Sequence, residues 1–235
     1  MKLAIMQPYF MPYIGYFSLI SASDQFILFD TVQFIRHGWI ERNRILKPGD
    51  GWQYIKVPLL KHSRATLINE VEINSLINWK TLIFRQLEHY KKKAPYYHEV
   101  CKLLLDCLFV SDASIVKLNA RCLQKICEYI GLQFNYSIFS EMSLKIGVIN
   151  NPGDWALRIS EALNVSEYIN PIGGATLFNS QKFSKSNITL KFLESNLKPY
   201  NQKRNTFEKG LSIIDVMMFN CKEEIQSLID DYTIS

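Results

Sequence analysis

No part of the chain approaches the roughly eighteen uninterrupted apolar residues of a membrane-spanning helix. The N-terminus also lacks a basic segment leading into a long apolar run and a small-residue cleavage site, so neither a membrane span nor a secretory leader is expected. The expected compartment is the cytoplasm. Histidine is scarce: His37, His62, His89 and His98 stand in no HExxH or comparable spacing, and no metal site is expected. The five cysteines, Cys101, Cys107, Cys122, Cys127 and Cys221, are odd in number and form no CxxC pair. They read as reduced, mostly buried thiols rather than a disulfide framework. There is no P-loop, no strict GxGxxG and no GxSxG elbow. Lys and Arg exceed Asp and Glu by only five charges, which suits an anionic small ligand and is too little to argue for nucleic acid.

What the chain has is apolar and aromatic content, 48% and 13% respectively, enough for a packed core with little room for disorder. Short apolar strands alternate with segments of helical spacing. Leu3 to Met6, Gln25 to Phe29, Trp52 to Pro58, Asn135 to Phe139, Glu167 to Asn170 and Ile188 to Leu193 read as strands, with Leu67 to Ile73 as a further short one. Helical spacing begins at Ile14 and recurs over 78–91, 96–109, 114–130 and 152–163, with a last helix starting over 213–220. Asp112 or Ser114 can cap the third of these and Gly131 can close it. The alternation predicts an α/β fold with a mostly parallel sheet and a Rossmann-like, nucleotidylyltransferase-like layout. Residues 1–235 are expected to form a single domain, with 78–131 as a helical insertion or cap.

Candidate site residues cluster after the early strands. Gln7 to Tyr16 joins the first strand to the first helix, and Gly15 there would let an anion approach the backbone. Tyr9, Tyr13 and Tyr16 could equally be core aromatics with their hydroxyls at the surface. The second strand ends on Asp30, followed by Gln33 and then by Trp39, Asn43 and Arg44, a dense run of forked donors suited to a ligand rim. Asn170-Pro171-Ile172-Gly173-Gly174-Ala175-Thr176 follows a late strand, where paired glycines can turn backbone N–H groups toward a phosphate. If the sheet is parallel, all of these open on one edge.

The strings AIMQPYFMPYIGYF, DTVQF, GWIERNRI and WQYIKVPL, followed in order by KKKAPYY, EYIGL, EYINPIGG and LSIIDVMMFN, resemble the WbqC-like family of bacterial polysaccharide gene clusters. The resemblance runs from about Leu3 to Asn220. It implies a part in O-antigen, lipopolysaccharide or related surface-glycan biosynthesis, with a proposed glycine (aminoacyl) transferase role. Family members commonly carry His where this chain has Met6, and a serine-glycine pair where it has Ile172-Gly173-Gly174, so no imidazole chemistry is expected at position 6. Tyr13-Ile14-Gly15-Tyr16 also occupies the place of the HxGH signature of nucleotidylyltransferase-like folds, with both histidines replaced by tyrosine.

Aminoacyl transfer to a sugar amine needs a base, donors for a tetrahedral oxyanion and alignment of two substrates. Asp30 is the candidate base, with Gln7 and Arg44 beside it as catalytic donors or clamps. Tyr9, Tyr13, Gly15, Tyr16, Gln33, Trp39, Asn43, Gly173 and Gly174 are candidate substrate contacts. The acceptor would be a nucleotide-linked amino sugar, and ATP or an aminoacyl-tRNA the donor system. Lys91-Lys92-Lys93 would serve the latter. The other reading is a non-catalytic nucleotide-sugar-binding or scaffold protein of the same pathway.

Overall fold

A computed structural model describes residues 1–109 and 112–235. Two residues of the expected helical insertion, 110 and 111, lie outside the described residues. Six strands form the main sheet: β1 (Lys2–Met6), β2 (Gln25–Leu28), β5 (Tyr136–Ile138), β6 (Glu167–Pro171), β7 (Thr189–Ser195) and β8 (Tyr232–Ile234). Their spatial order is β5-β2-β1-β6-β7-β8, parallel throughout except for β8, which runs antiparallel to β7. The expected α/β class with a mostly parallel, Rossmann-like sheet is the fold observed.

Alternation along the strands sends successive side chains to opposite faces. On β1, Ala4 joins one apolar cluster while Leu3 and Ile5 join the other. On β2, Phe26 and Leu28 part from Ile27 in the same way. The larger cluster is covered by α1 (Ile14–Ser21), α2 (Trp79–Leu87), α3 (Tyr97–Leu108), α4 (Ile115–Ile130), α7 (Ile213–Phe219) and α8 (Lys222–Ile229). The smaller is covered by α5 (Asp154–Ala162) and α6 (Ser180–Lys185). Helices on both faces explain why the central strands read as near-continuous apolar runs. The boundaries of α4 follow from its caps: the Ser114 hydroxyl accepts from the Lys117 N–H, and Gly131 turns left-handed at φ 74°.

Three segments differ from the sequence reading. Trp52–Lys56 is a strand, β4, but it leaves the main sheet to pair antiparallel with β3 (Arg42–Leu46). That partner strand carries Arg, Asn and Arg in sequence, so it shows no apolar alternation. Leu67 to Ile73 is not a strand: its centre, Ile68–Glu70, is one 3₁₀ turn held by the Glu70 carboxylate accepting from the Leu67 N–H at 2.9 Å. After α7 the chain adds α8 and the antiparallel edge strand β8, whereas one terminal helix was expected.

The hairpin is fastened to the core by a buried polar node. Asp215 on α7 is fully buried; it accepts from Tyr90 Oη at 2.6 Å, from Gln202 Nε2 at 3.0 Å and from the Tyr200 hydroxyl. Tyr90 in turn accepts from the Leu46 N–H at 2.9 Å, tying the end of β3 to α7. Burial raises the Asp215 pKa from 3.8 to about 6, against the lowering effect of its donors.

Asp215→Ala leaves two tyrosine hydroxyls without an acceptor and should lower the unfolding free energy by about 2 kcal/mol near neutral pH. Because the folded-state pKa lies above the unfolded value, the stabilisation from this group is complete below the unfolded pKa and declines as pH rises through the folded one. The wild-type advantage over Asp215→Ala in urea titrations should therefore narrow between pH 4 and pH 7. A gap that stays constant, or widens, would contradict the role given to Asp215.

Candidate functional site

The strand order reverses between β1 and β6: connections from β1 lead outward through β2 to β5, and those from β6 lead outward through β7. Ligands of open α/β sheets bind in the crevice beyond the carboxyl ends of strands at such a switch point. A cavity of about 570 Å³ lies there. Its floor is Ile5, Met6 and Phe29, with Gln7 directly after β1. One wall is Tyr9, Pro12 and Tyr13 from the β1–α1 loop; the opposite wall is Asn170, Pro171, Gly173 and Gly174 at the end of β6. Trp39, ahead of β3, and Asn43 and Arg44 within it close the third side.

The loop wall is rigid because its backbone is satisfied by other elements. Tyr16 Oη donates to the Gln7 carbonyl at 2.9 Å and Asn119 Nδ2 to the Pro8 carbonyl at 2.8 Å. Asn43 Nδ2 donates to the Phe10 carbonyl at 3.1 Å, Ser212 Oγ to the Met11 carbonyl at 2.7 Å, and the Ile213 N–H to the Pro12 carbonyl at 2.8 Å. Asn119 also holds the Ile40 carbonyl at 2.9 Å, which fixes the segment carrying Trp39.

Among the described residues, Arg44 is the only charged side chain lining this cavity. Its guanidinium sits 5.4 Å from the Trp39 ring centre and 5.2 Å from that of Trp52, and Nη2 donates to the Gly210 carbonyl at 3.1 Å. Its Nε is buried and has no partner among the described residues. A guanidinium held between two indoles with a free donor is prepared for an oxyanion. Burial raises the pKa of Tyr13, and burial with the neighbouring Tyr13 raises that of Tyr9, so both phenols stay protonated and act as donors.

Gln7, Tyr9, Tyr13, Trp39, Asn43, Arg44, Gly173 and Gly174 are thus gathered around one cavity. Four other candidates lie elsewhere. Asp30 is 1% exposed, and its two carboxylate oxygens accept from the Ser140 N–H at 2.9 Å and Ser140 Oγ at 2.6 Å. It anchors the end of β2 to the segment after β5. Tyr16 is a core aromatic whose hydroxyl supports the loop. Gln33 is exposed and donates to the Arg64 carbonyl. Gly15 faces a side chain rather than a ligand: a Cβ there would come within 2.5 Å of the Tyr13 ring, which covers the first turn of α1. Gly174 is likewise covered, by Asn170 Nδ2 at 2.4 Å from such a Cβ, while the space over Gly173 is open. Sequence reasoning left out Trp52, Gly210 and Leu197. Trp52 could have been found as the cross-strand partner of Leu46, two residues beyond Arg44, once the hairpin was recognised.

Comparison with known proteins adds a family. The family model described as the WbqC-like protein family matches residues 7–227, from the first residue after β1 into α8. A similar protein is the uncharacterized protein Rv1507c of Mycobacterium tuberculosis (strain ATCC 25618 / H37Rv), 27% identical over 226 residues and covering 95% of each chain. No solved structure matches the chain.

The contact between Gly15 and Tyr13 yields a double-mutant cycle. Gly15→Ala alone should destabilise by about 1–3 kcal/mol, because the added methyl must displace a packed ring. In a Tyr13→Ala background the same change should cost nothing, and it gains the helix propensity of alanine, worth up to about 1 kcal/mol. Equal effects in both backgrounds, by urea unfolding, would show that the ring does not occupy the space over Gly15.

Proposed function

The chain belongs to the WbqC-like protein family, and from that premise we propose that it is a transferase of surface-polysaccharide biosynthesis which attaches glycine or another aminoacyl group to a nucleotide-linked amino sugar. The observation that carries this reading is the Arg44 guanidinium, held between Trp39 and Trp52 at the switch-point cavity with a free buried Nε. A diphosphate suits that cation, and a base or sugar face suits the neighbouring rings. Such a substrate goes with the cytoplasmic placement expected of the sequence.

The sugar would project toward Gln7, Tyr9 and Tyr13, over the apolar floor of Ile5, Met6 and Phe29. An ammonium there loses hydration and meets no carboxylate among the described lining residues, so its neutral, nucleophilic form is favoured. The amine nitrogen attacks the acyl carbon of either glycyl-AMP, the mixed anhydride formed from glycine and ATP with release of pyrophosphate, or the glycyl ester of a tRNA. The new C–N bond forms, the C–O bond to the leaving group breaks, and the amine proton passes to that leaving oxygen. Tyrosine hydroxyls and the Gln7 amide are the proposed donors to the tetrahedral oxyanion. Catalysis on this reading is mainly positioning and desolvation.

A second reading is a binding protein of the same pathway. It is favoured by the lining itself, whose described residues include no carboxylate, imidazole or thiol.

Mass spectrometry of dTDP- and UDP-linked amino sugars, incubated with the protein and either ATP plus glycine or glycyl-tRNA, decides between them. Transfer gives a product heavier by one glycyl unit; saturable binding without product leaves only the binding role. Arg44→Gln should weaken nucleotide-sugar binding by about ten- to a hundredfold, and unchanged affinity would remove Arg44 from the site. Since the described lining residues include no carboxylate or imidazole, kcat/KM should rise with pH as the substrate amine loses its proton. A limb between pH 4 and 7 that persists in a non-titrating buffer would point to a protein base and against this mechanism.

A further inference from the structure

A second cavity, of about 200 Å³, lies at the turn end of the β3–β4 hairpin, where His89, Lys93 and Arg204 meet beside Gly49, Tyr90 and Gln202. Three side chains able to carry positive charge converge here, and none forms an ion pair among the described residues. Arg204 is fixed in place: Nη1 donates to the Gly51 carbonyl at 3.0 Å and Nη2 to the Lys47 carbonyl. His89 places Nδ1 2.8 Å from the Gln86 carbonyl, which sets that nitrogen as the donor; its Nε2 is shielded from solvent and unpartnered. Burial lowers the His89 pKa, and the charges of Arg204 and Lys93 lower it further.

Three carboxylates stand near, and none forms an ion pair with the cluster among the described residues: Glu88 lines the adjoining groove, and Glu208 Oε1 lies 3.9 Å from where a Cβ on Gly51 would sit. Asp215 stands behind the wall, bonded to Tyr90, Tyr200 and Gln202. Arg204 and Lys93 held together without a counter-ion repel each other and disfavour a charged imidazole, whereas an anion between them forms charge-assisted hydrogen bonds with both and favours protonation of His89 Nε2, which then donates as well. A fixed guanidinium, an ammonium on a flexible stem and an imidazole suit the several oxygens of a phosphate. The exposed Lys91 and Lys92 extend the positive surface, and an open groove along Arg85 and Gln86 shares His89 and Pro48 with the cavity.

We infer that this cavity is a second anion site, separate from the switch-point cavity, which takes a phosphate group through Arg204, Lys93 and His89. The inference does not depend on the transferase reading. The phosphate can belong to a small phosphorylated ligand or to the phosphodiester chain of an RNA; the chemistry of recognition is the same.

The test follows the His89 ring resonances by NMR while the full chain is titrated separately with inorganic phosphate and with an unstructured RNA oligonucleotide. Saturable shifts of His89 are expected with at least one probe, weakened about tenfold or more in Lys93→Gln. Lys93 is exposed, so that variant should fold normally; Arg204→Gln, which also frees two backbone carbonyls, serves as the second variant once its fold is checked by circular dichroism. Shifts with phosphate alone assign a small ligand, and shifts with RNA at far lower concentration assign the phosphodiester source. No response of His89 to either probe, or a response that Lys93→Gln leaves intact, overturns the inference.

Discussion

Five backbone carbonyls, those of residues 7, 8, 10, 11 and 12, must find donors inside a loop packed against the core. An unsatisfied buried carbonyl costs about 1–3 kcal/mol. The chain answers with one donor for each, drawn from α1, α4, β3 and the start of α7. Pro8 and Pro12 ease the requirement by removing two N–H groups that would also need partners. The consequence reaches beyond the loop. Elements far apart in sequence are pinned to the same short stretch of backbone, so the loop wall and the wall carried by β3 hold fixed positions relative to one another, while the wall after β6 is placed by the pairing of β6 with β1. A site built this way is preorganised, which lowers the ordering cost of binding.

The fold was legible where local physics decides it. Alternating and helical spacing marked the strands and helices, and Ser114 and Gly131 marked both ends of α4. The sheet edge that carries the site followed from parallel strands ending at Gln7 and Asn170. Other assignments depended on partners the sequence does not reveal. Gly15 has the same local signature whether a phosphate or a tyrosine ring lies over it; in the structure it is Tyr13. Asp30 ends a strand at the site edge, as a catalytic carboxylate would, but Ser140, 110 residues away, occupies both its oxygens. Asn43 and Arg44 read as a ligand rim and lie in a strand as well, because a two-stranded ribbon outside the sheet can keep polar residues along its length.

The cavity that results is rich in donors and poor in groups that exchange protons near neutrality. Arg44 supplies a forked set of donors, and the raised pKa values of Tyr9 and Tyr13 keep their hydroxyls as donors. Such a lining recognises phosphate and carbonyl oxygens and leaves proton movement to the substrates. Two side chains with shifted pKa values closer to neutrality lie elsewhere: Asp215 in the node that secures the hairpin, and His89 beside the second cavity. The β3–β4 hairpin connects these regions, carrying Arg44 within a strand and the 47–51 turn at its tip.

A crystal structure of the protein soaked with a UDP-linked amino sugar tests the central claim most directly. The diphosphate should lie on Arg44 between Trp39 and Trp52, with the sugar amine over the floor formed by Ile5, Met6 and Phe29. Density for the nucleotide-sugar at another place, with the switch-point cavity empty at saturating concentration, would contradict it.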